Sequence, residues 1–167
     1  MGESVRDTPN IPVLRTHIDW LDKASFELAR FAETSSVYDM MNCFLDVNAV
    51  PEWIEKDGKL SQTLRDQATA KLEIMRQHPI DLAKLGEIDN QLRFVRLFCN
   101  YAKHLDPKPS AGIQNITMCS ALPAEYPIRF DRLAVDGEII YPSKLLGSVI
   151  EFWVQAEARY LQSSTSK

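Results

Sequence analysis

The 167-residue chain is 45% hydrophobic, 25% charged and 9% aromatic. A chain of this length forms one ordinary domain and buries roughly two-thirds of the surface its unfolded form exposes, which excludes both a disulfide-stapled mini-protein and intrinsic disorder. Nineteen basic against twenty-three acidic side chains leave a formal charge of −4, which argues against a general electrostatic coat for nucleic acid.

The first residues, Met1 to Asp7, hold no apolar signal-peptide core. Arg6 stands where a myristoylation string needs Ser or Thr. No apolar run nears the roughly 20 residues that span a bilayer. Cys43, Cys99 and Cys119 are odd in number and widely spaced, so they read as reduced, mostly buried thiols of a cytoplasmic protein.

Residues 1–15 carry two prolines and no periodicity, and are expected to form an extended lead-in. From Thr16 the pattern is helical, with Ile18, Leu21, Ala24, Leu28 and Phe31 at spacings of three and four. Ser35 or Ser36 can cap a second helix whose apolar face holds Val37, Met40, Met41, Phe44, Leu45 and Val47. Pro51 then marks either a kink or the first turn of a new short helix through Glu55. After the turn at Asp57-Gly58-Lys59, Ser61 can cap a third helix bearing Leu64, Ala68, Leu72 and Met75.

Asp81 is expected to cap the most strongly patterned helix. There Leu85, Ile88, Leu92, Val95, Cys99 and Ala102 alternate at three and four residues, a heptad-like seam over about five turns. Asp106 to Gly112 ends it. Residues 113–141 then turn β-branched and aromatic, and Asp136-Gly137 between two such runs signals a hairpin, because both turn positions need positive φ. Pro142-Ser143 opens a last helix with Leu146, Val149, Ile150, Trp153, Ala156 and Tyr160 on one face, and residues 162–167 read as a flexible tail. The expected fold is mainly α. It is a single-domain antiparallel bundle of four to five helices over residues 1–167, with a small β-hairpin or meander inserted before the C-terminal helix.

Most chemical motifs are missing. There is no Gly-rich phosphate loop, no H-E-x-x-H, no zinc-spaced Cys or His pair and no G-x-S-x-G elbow. Neither a cofactor nor a metal is expected. The three histidines are His17, His78 and His104. His104 ends a polar stripe in which Asp89, Arg93, Arg96, Asn100 and His104 fall within about 80° of one another on the fourth helix. Arg96 and Lys103 point close to the apolar seam and are expected to be partly buried and paired. Such a stripe reads in two ways. It can bind a phosphate and move a proton, as metal-independent RNA cleavage requires, or it can form an inter-helix polar network with partners such as Asp39, Asp46 or Glu151. Cys99 and His104 lie about 140° apart on one helix and make no dyad. Arg129 and Arg132, with Lys108, form a local basic edge that can extend the stripe into a phosphate-binding groove. Trp20, Trp53 and Trp153 lie on or beside apolar faces, where core packing is the expected role.

The Asn100-x-x-x-His104 spacing resembles the motif region of HEPN-type domains. Those domains are helical bundles, often dimeric, of toxin–antitoxin, phage-defence and RNA-processing systems. Their nuclease members carry R-N-x-x-x-H, with residues of two subunits meeting in a cleft. Here Cys99 takes the arginine position, and Arg96, one helical turn earlier, would be its substitute. The segment Val95 to His104, together with the later hairpin and the Leu146 to Trp153 helix, is also similar to small helical bacterial and phage proteins of unknown activity. The resemblance implies a cytoplasmic homodimer that meets a protein or RNA partner. With the arginine displaced and the charge negative, the expectation is a non-catalytic interaction or regulatory module, with no membrane association. The alternative is a metal-independent ribonuclease using Arg96, Asn100 and His104 across a dimer interface. The expected phosphate contacts are Arg93, Arg96, Lys103, Arg129 and Arg132.

Overall fold

The computed structural model describes residues 14–104, 112–120 and 129–164, apart from the side chains of 102–104 and 160–164. It is an antiparallel helical bundle with a small sheet before its last helix. Among the described residues there are five α-helices: α1 (His17–Thr34), α2 (Val37–Lys56), α3 (Gln62–Met75), α4 (Ile88–His104) and α5 (Pro142–Ser164). Three strands, β1 (Ile116–Cys119), β2 (Arg132–Val135) and β3 (Glu138–Ile140), pair antiparallel in that order, so β3 is an edge strand. No helix among the described residues is long and apolar enough to cross a membrane. α5 runs to Ser164, so residues 162–164 of the expected tail are helical; the rest of that tail, most of the expected lead-in, and the segments 105–111 and 121–128 lie outside the described residues.

The helix starts follow from side-chain caps. Thr16 accepts the amide of Asp19 while the Asp19 carboxylate accepts the amides of Thr16 and Arg15, a reciprocal capping box. These hydrogen bonds hold the Asp19 carboxyl below its ordinary pKa. Ser36 and Ser61 accept from Asp39 and Leu64 to cap α2 and α3.

Two helix boundaries differ from the sequence pattern. Asp81 caps a short 3-10 turn, Leu82–Lys84, and α4 begins only at Ile88, after Gly86. The side-chain amides of Asn90 and Gln91 reach back to the carbonyls of Lys84 and Leu85, at 3.3 and 2.9 Å, and so satisfy the turn without helical bonding. Leu85 therefore packs against the core from outside the helix, and the seam starts with Ile88. Pro51 does not start a new helix, because α2 runs through it. That helix contacts α1, α3, α4 and α5, and its buried positions include Met40, Cys43, Phe44, Val50 and Pro51. Packing on four neighbours outweighs the hydrogen bond a proline removes.

Phe44 stacks on Phe98 at 4.1 Å between ring centroids, with Phe94 beside both, where α2 meets α4. Trp153 of α5 is fully buried. Trp20 packs against the core as expected, whereas Trp53 departs from that role. They pair at 6.1 Å across α1 and α2, and Trp53 lies at the surface.

In the sheet, Leu133, Val135 and Ile140 face the core, while Ala134, Ile139 and Tyr141 take the other parity. Asp136 and Gly137 turn the hairpin at φ 47° and 91°. Asp136 does more than turn the chain. Its carboxylate accepts the amides of Gln114 and Asn115 at 2.8–3.1 Å and pins the approach to β1 against the hairpin.

Candidate functional site

The structure places the polar stripe of α4 among partners on α2, on α3 and in the segment that follows α3. Asp89 receives the Lys71 ammonium at 2.6 Å. Arg93 donates to Gln77 at 2.9 Å and to Asn90 at 3.3 Å. Arg96 meets Glu52 at 3.4 Å. Asn100 is exposed, and the side chains of Lys103 and His104 lie outside the described ones, as does Lys108. The acids named from the sequence as inter-helix partners are engaged elsewhere. Asp39 pairs with Arg30, Asp46 with Lys23, and Glu151 accepts from Gln155. The register of α2 against α4 is why: it brings Glu52, not Asp39 or Asp46, to Arg96.

Two partly buried polar clusters escaped the sequence pattern. His17 Nε2 meets Glu157 Oε1 at 3.1 Å and ties the start of α1 to α5. Lys23 bridges Asp46 at 2.7 Å and Glu27 at 3.6 Å between α1 and α2. Burial pushes the Asp46 carboxyl up, and the Lys23 ammonium pulls it part of the way back. Burial, with the Asp46 and Glu27 charges adding to it, pushes the neighbouring Cys43 thiol up to about 12. Among the described residues, no three His, Cys, Asp or Glu side chains gather to hold a metal ion.

Among the described residues, a surface open to a ligand lies where β3 runs into α5. Two grooves flank this junction and share Tyr141 and Lys144. The first, of about 490 Å³, has apolar walls from Leu82, Leu85, Ile140 and Leu145, with Gln91, Glu138 and Ser148 on its lining. The second, of about 430 Å³, runs past Phe31, Ser35, Arg129, Asp131 and Ser143.

Three features make this junction chemically distinct. First, Pro142 opens α5, and the first turn of that helix, with Ser143 and Lys144, lines the grooves, so its positive end lies beside them. Secondly, the cations differ in their partners. Arg132 is held by Asp131 at 3.0 Å, which keeps its pKa above the ordinary value, and lies over the Tyr141 ring at 5.2 Å. Arg129 and Lys144 are exposed and have no ion-pair partner among the described residues. Thirdly, Gln91 is 7% exposed and its Oε1 has no hydrogen-bond partner, although its amide nitrogen is held by Leu85. Half-exposed Phe130, Ile139 and Tyr141 stand at the same pole.

Of the expected phosphate contacts, Arg129 and Arg132 come to this pole, while Arg93 and Arg96 do not. Sequence reasoning passed over Gln91, Tyr141, Ser143 and Lys144. A signal for Lys144 was present: a lysine in the first turn of a helix opposes the helix dipole and serves no stabilising end there. Comparison with family models, with curated proteins and with solved structures finds no match to this chain.

Proposed function

We propose that this chain is a non-catalytic interaction module that meets a macromolecular partner, a protein or an RNA, at the β3–α5 pole. The pairing pattern of the cations carries this reading. Arg93 is held by Gln77, just past α3, and by Asn90, and Arg96 by Glu52 of α2, whereas Arg129 and Lys144 stand unpaired among the described residues, beside exposed apolar side chains. Uncompensated charge next to exposed aromatic and aliphatic surface is the composition of a recognition site. The HEPN-like resemblance, a phage-conflict or toxin–antitoxin setting, a cytoplasmic location and a homodimer belong to the same reading. The ribonuclease alternative would require Arg96 to leave Glu52, which counts against it.

Affinity capture from native host extract tests the module, with wild-type chain beside the Arg129→Glu/Lys144→Glu double variant. Retention of a protein or RNA by wild type and its loss from the double variant are expected. Equal retention by both, with matching thermal melts, would overturn the assignment to this pole. Pure protein incubated with total RNA beside a His104→Ala variant is expected to leave identical RNA profiles. Cleavage present in one and lost in the other overturns the non-catalytic reading.

A further inference from the structure

The edge of β3, unpaired among the described residues, sharpens this reading. In a two-residue hairpin the residues flanking the turn exchange hydrogen bonds, and the pairs alternate from there. Val135 and Glu138 flank the turn and Leu133 opposes Ile140, so Ile139 is the β3 residue whose N–H and C=O point away from β2. β3 is an edge strand, and Glu138 to Tyr141 line the larger groove. An unpaired strand edge beside an apolar groove is a template for an added strand.

Charge then sets the occupant's composition and direction. At the α5 end of the groove stands Lys144, in the first turn of the helix, and at the hairpin end stands Glu138. The second groove continues from Lys144 to Arg129. An occupant running along β3 therefore meets positive charge at one end and a carboxylate at the other.

We propose that the larger groove takes an extended peptide segment of a partner protein, added as a strand on this edge of β3. Its main chain pairs with the N–H and C=O of Ile139. Its apolar side chains fall between Leu82, Leu85 and Leu145, and an acidic side chain sits at Lys144 and the start of α5. The inference rests on the interaction-module reading and selects peptide over RNA as its ligand.

The full-length chain, labelled with ¹⁵N, is titrated with a blocked octapeptide of alternating Val and Thr that ends in two glutamates. The titration is repeated with the same peptide ending in two lysines and with oligouridine. The acidic peptide is expected to shift the amides of Ile139, Lys144 and Gln91 and to slow hydrogen exchange at Ile139. Lys144→Glu is expected to weaken binding roughly tenfold, and the lysine peptide to bind correspondingly less. Ile139→Pro removes the outward donor at a position an edge strand tolerates and abolishes binding. Should that variant not fold, an octapeptide N-methylated along its backbone makes the same test on wild-type protein. Equal binding of the acidic and basic peptides, or shifts confined to another face, would overturn the proposal. Oligouridine moving the same amides while the peptide does not would also overturn it and leave the interaction-module reading standing. Absence of binding by every probe, together with a failed capture experiment, removes both.

Discussion

Truncating Leu92 to alanine measures how rigidly the bundle is built around α4. Leu92 is fully buried, and α4 packs on α2, α3 and α5. The walls of the resulting cavity belong to three other helices, so the site closes only if whole helices move. Leu→Ala truncations in such surroundings cost about 2–5 kcal/mol, and the restricted collapse here argues for about 3 kcal/mol or more. For a domain of this size each kcal/mol lowers Tm by roughly 2–4 °C, so a fall of about 6–12 °C is expected. The assay is thermal unfolding followed by circular dichroism at 222 nm, about the wavelength of helix absorption. Asn100→Ala, on the exposed stripe of the same helix, is the control and should stay within about 0.5 kcal/mol of wild type. A Leu92→Ala variant that melts within about 2 °C of wild type would refute the reasoning. It would mean that α4 presents a different face to its neighbours.

Three further outcomes follow from the local structure. Gly137→Ala is expected to cost about 1–2 kcal/mol although no atom crowds the position, because its φ of 91° strains any residue with a Cβ; an unchanged urea midpoint would contradict this. In native protein at neutral pH a thiol-specific disulfide reagent should modify Cys119 and spare Cys43 and Cys99 until denaturant is added, since both are buried and the Cys43 thiol is pushed up to about 12; three thiols released at one rate would count against it. The depressed Asp19 carboxyl stabilises the fold fully above its ordinary pKa of 3.8, and that contribution is lost as pH falls toward its lower folded value. Asp19→Asn should therefore flatten the acid side of the stability–pH curve, and parallel curves for variant and wild type would exclude the capping role.

Much of this architecture was legible along the chain, and the reasons are local. Ser36, Ser61 and Pro142 announce helix starts because each meets the needs of the first-turn backbone by itself. Asp136-Gly137 announces the hairpin for the same kind of reason, positive φ at two successive positions. Local rules failed where neighbours intervene. Pro51 should end a helix, but α2, packed on four others, continues through it. Asp81 is a good cap, but Asn90 and Gln91 satisfy the carbonyls that a longer helix would have used.

The polar stripe on α4 marks the division most clearly. Its spacing on one helix face is a property of the sequence, since 3.6 residues per turn brings Asp89, Arg93, Arg96 and Asn100 to one side. Whether those charges wait for a ligand depends on what stands opposite them, and only the tertiary structure supplies Lys71, Gln77 and Glu52. The β3–α5 pole is the converse case. Gln91, Arg129, Tyr141 and Lys144 are scattered along the chain and form no motif, because spacing records neighbours along a helix and not across a junction. The sequence by itself determined a mainly helical domain of net charge −4, with a hairpin before its last helix. The fold decided which of its cations are neutralised and which are left facing a groove, because ion pairing depends on distances of a few ångströms that arise only on packing.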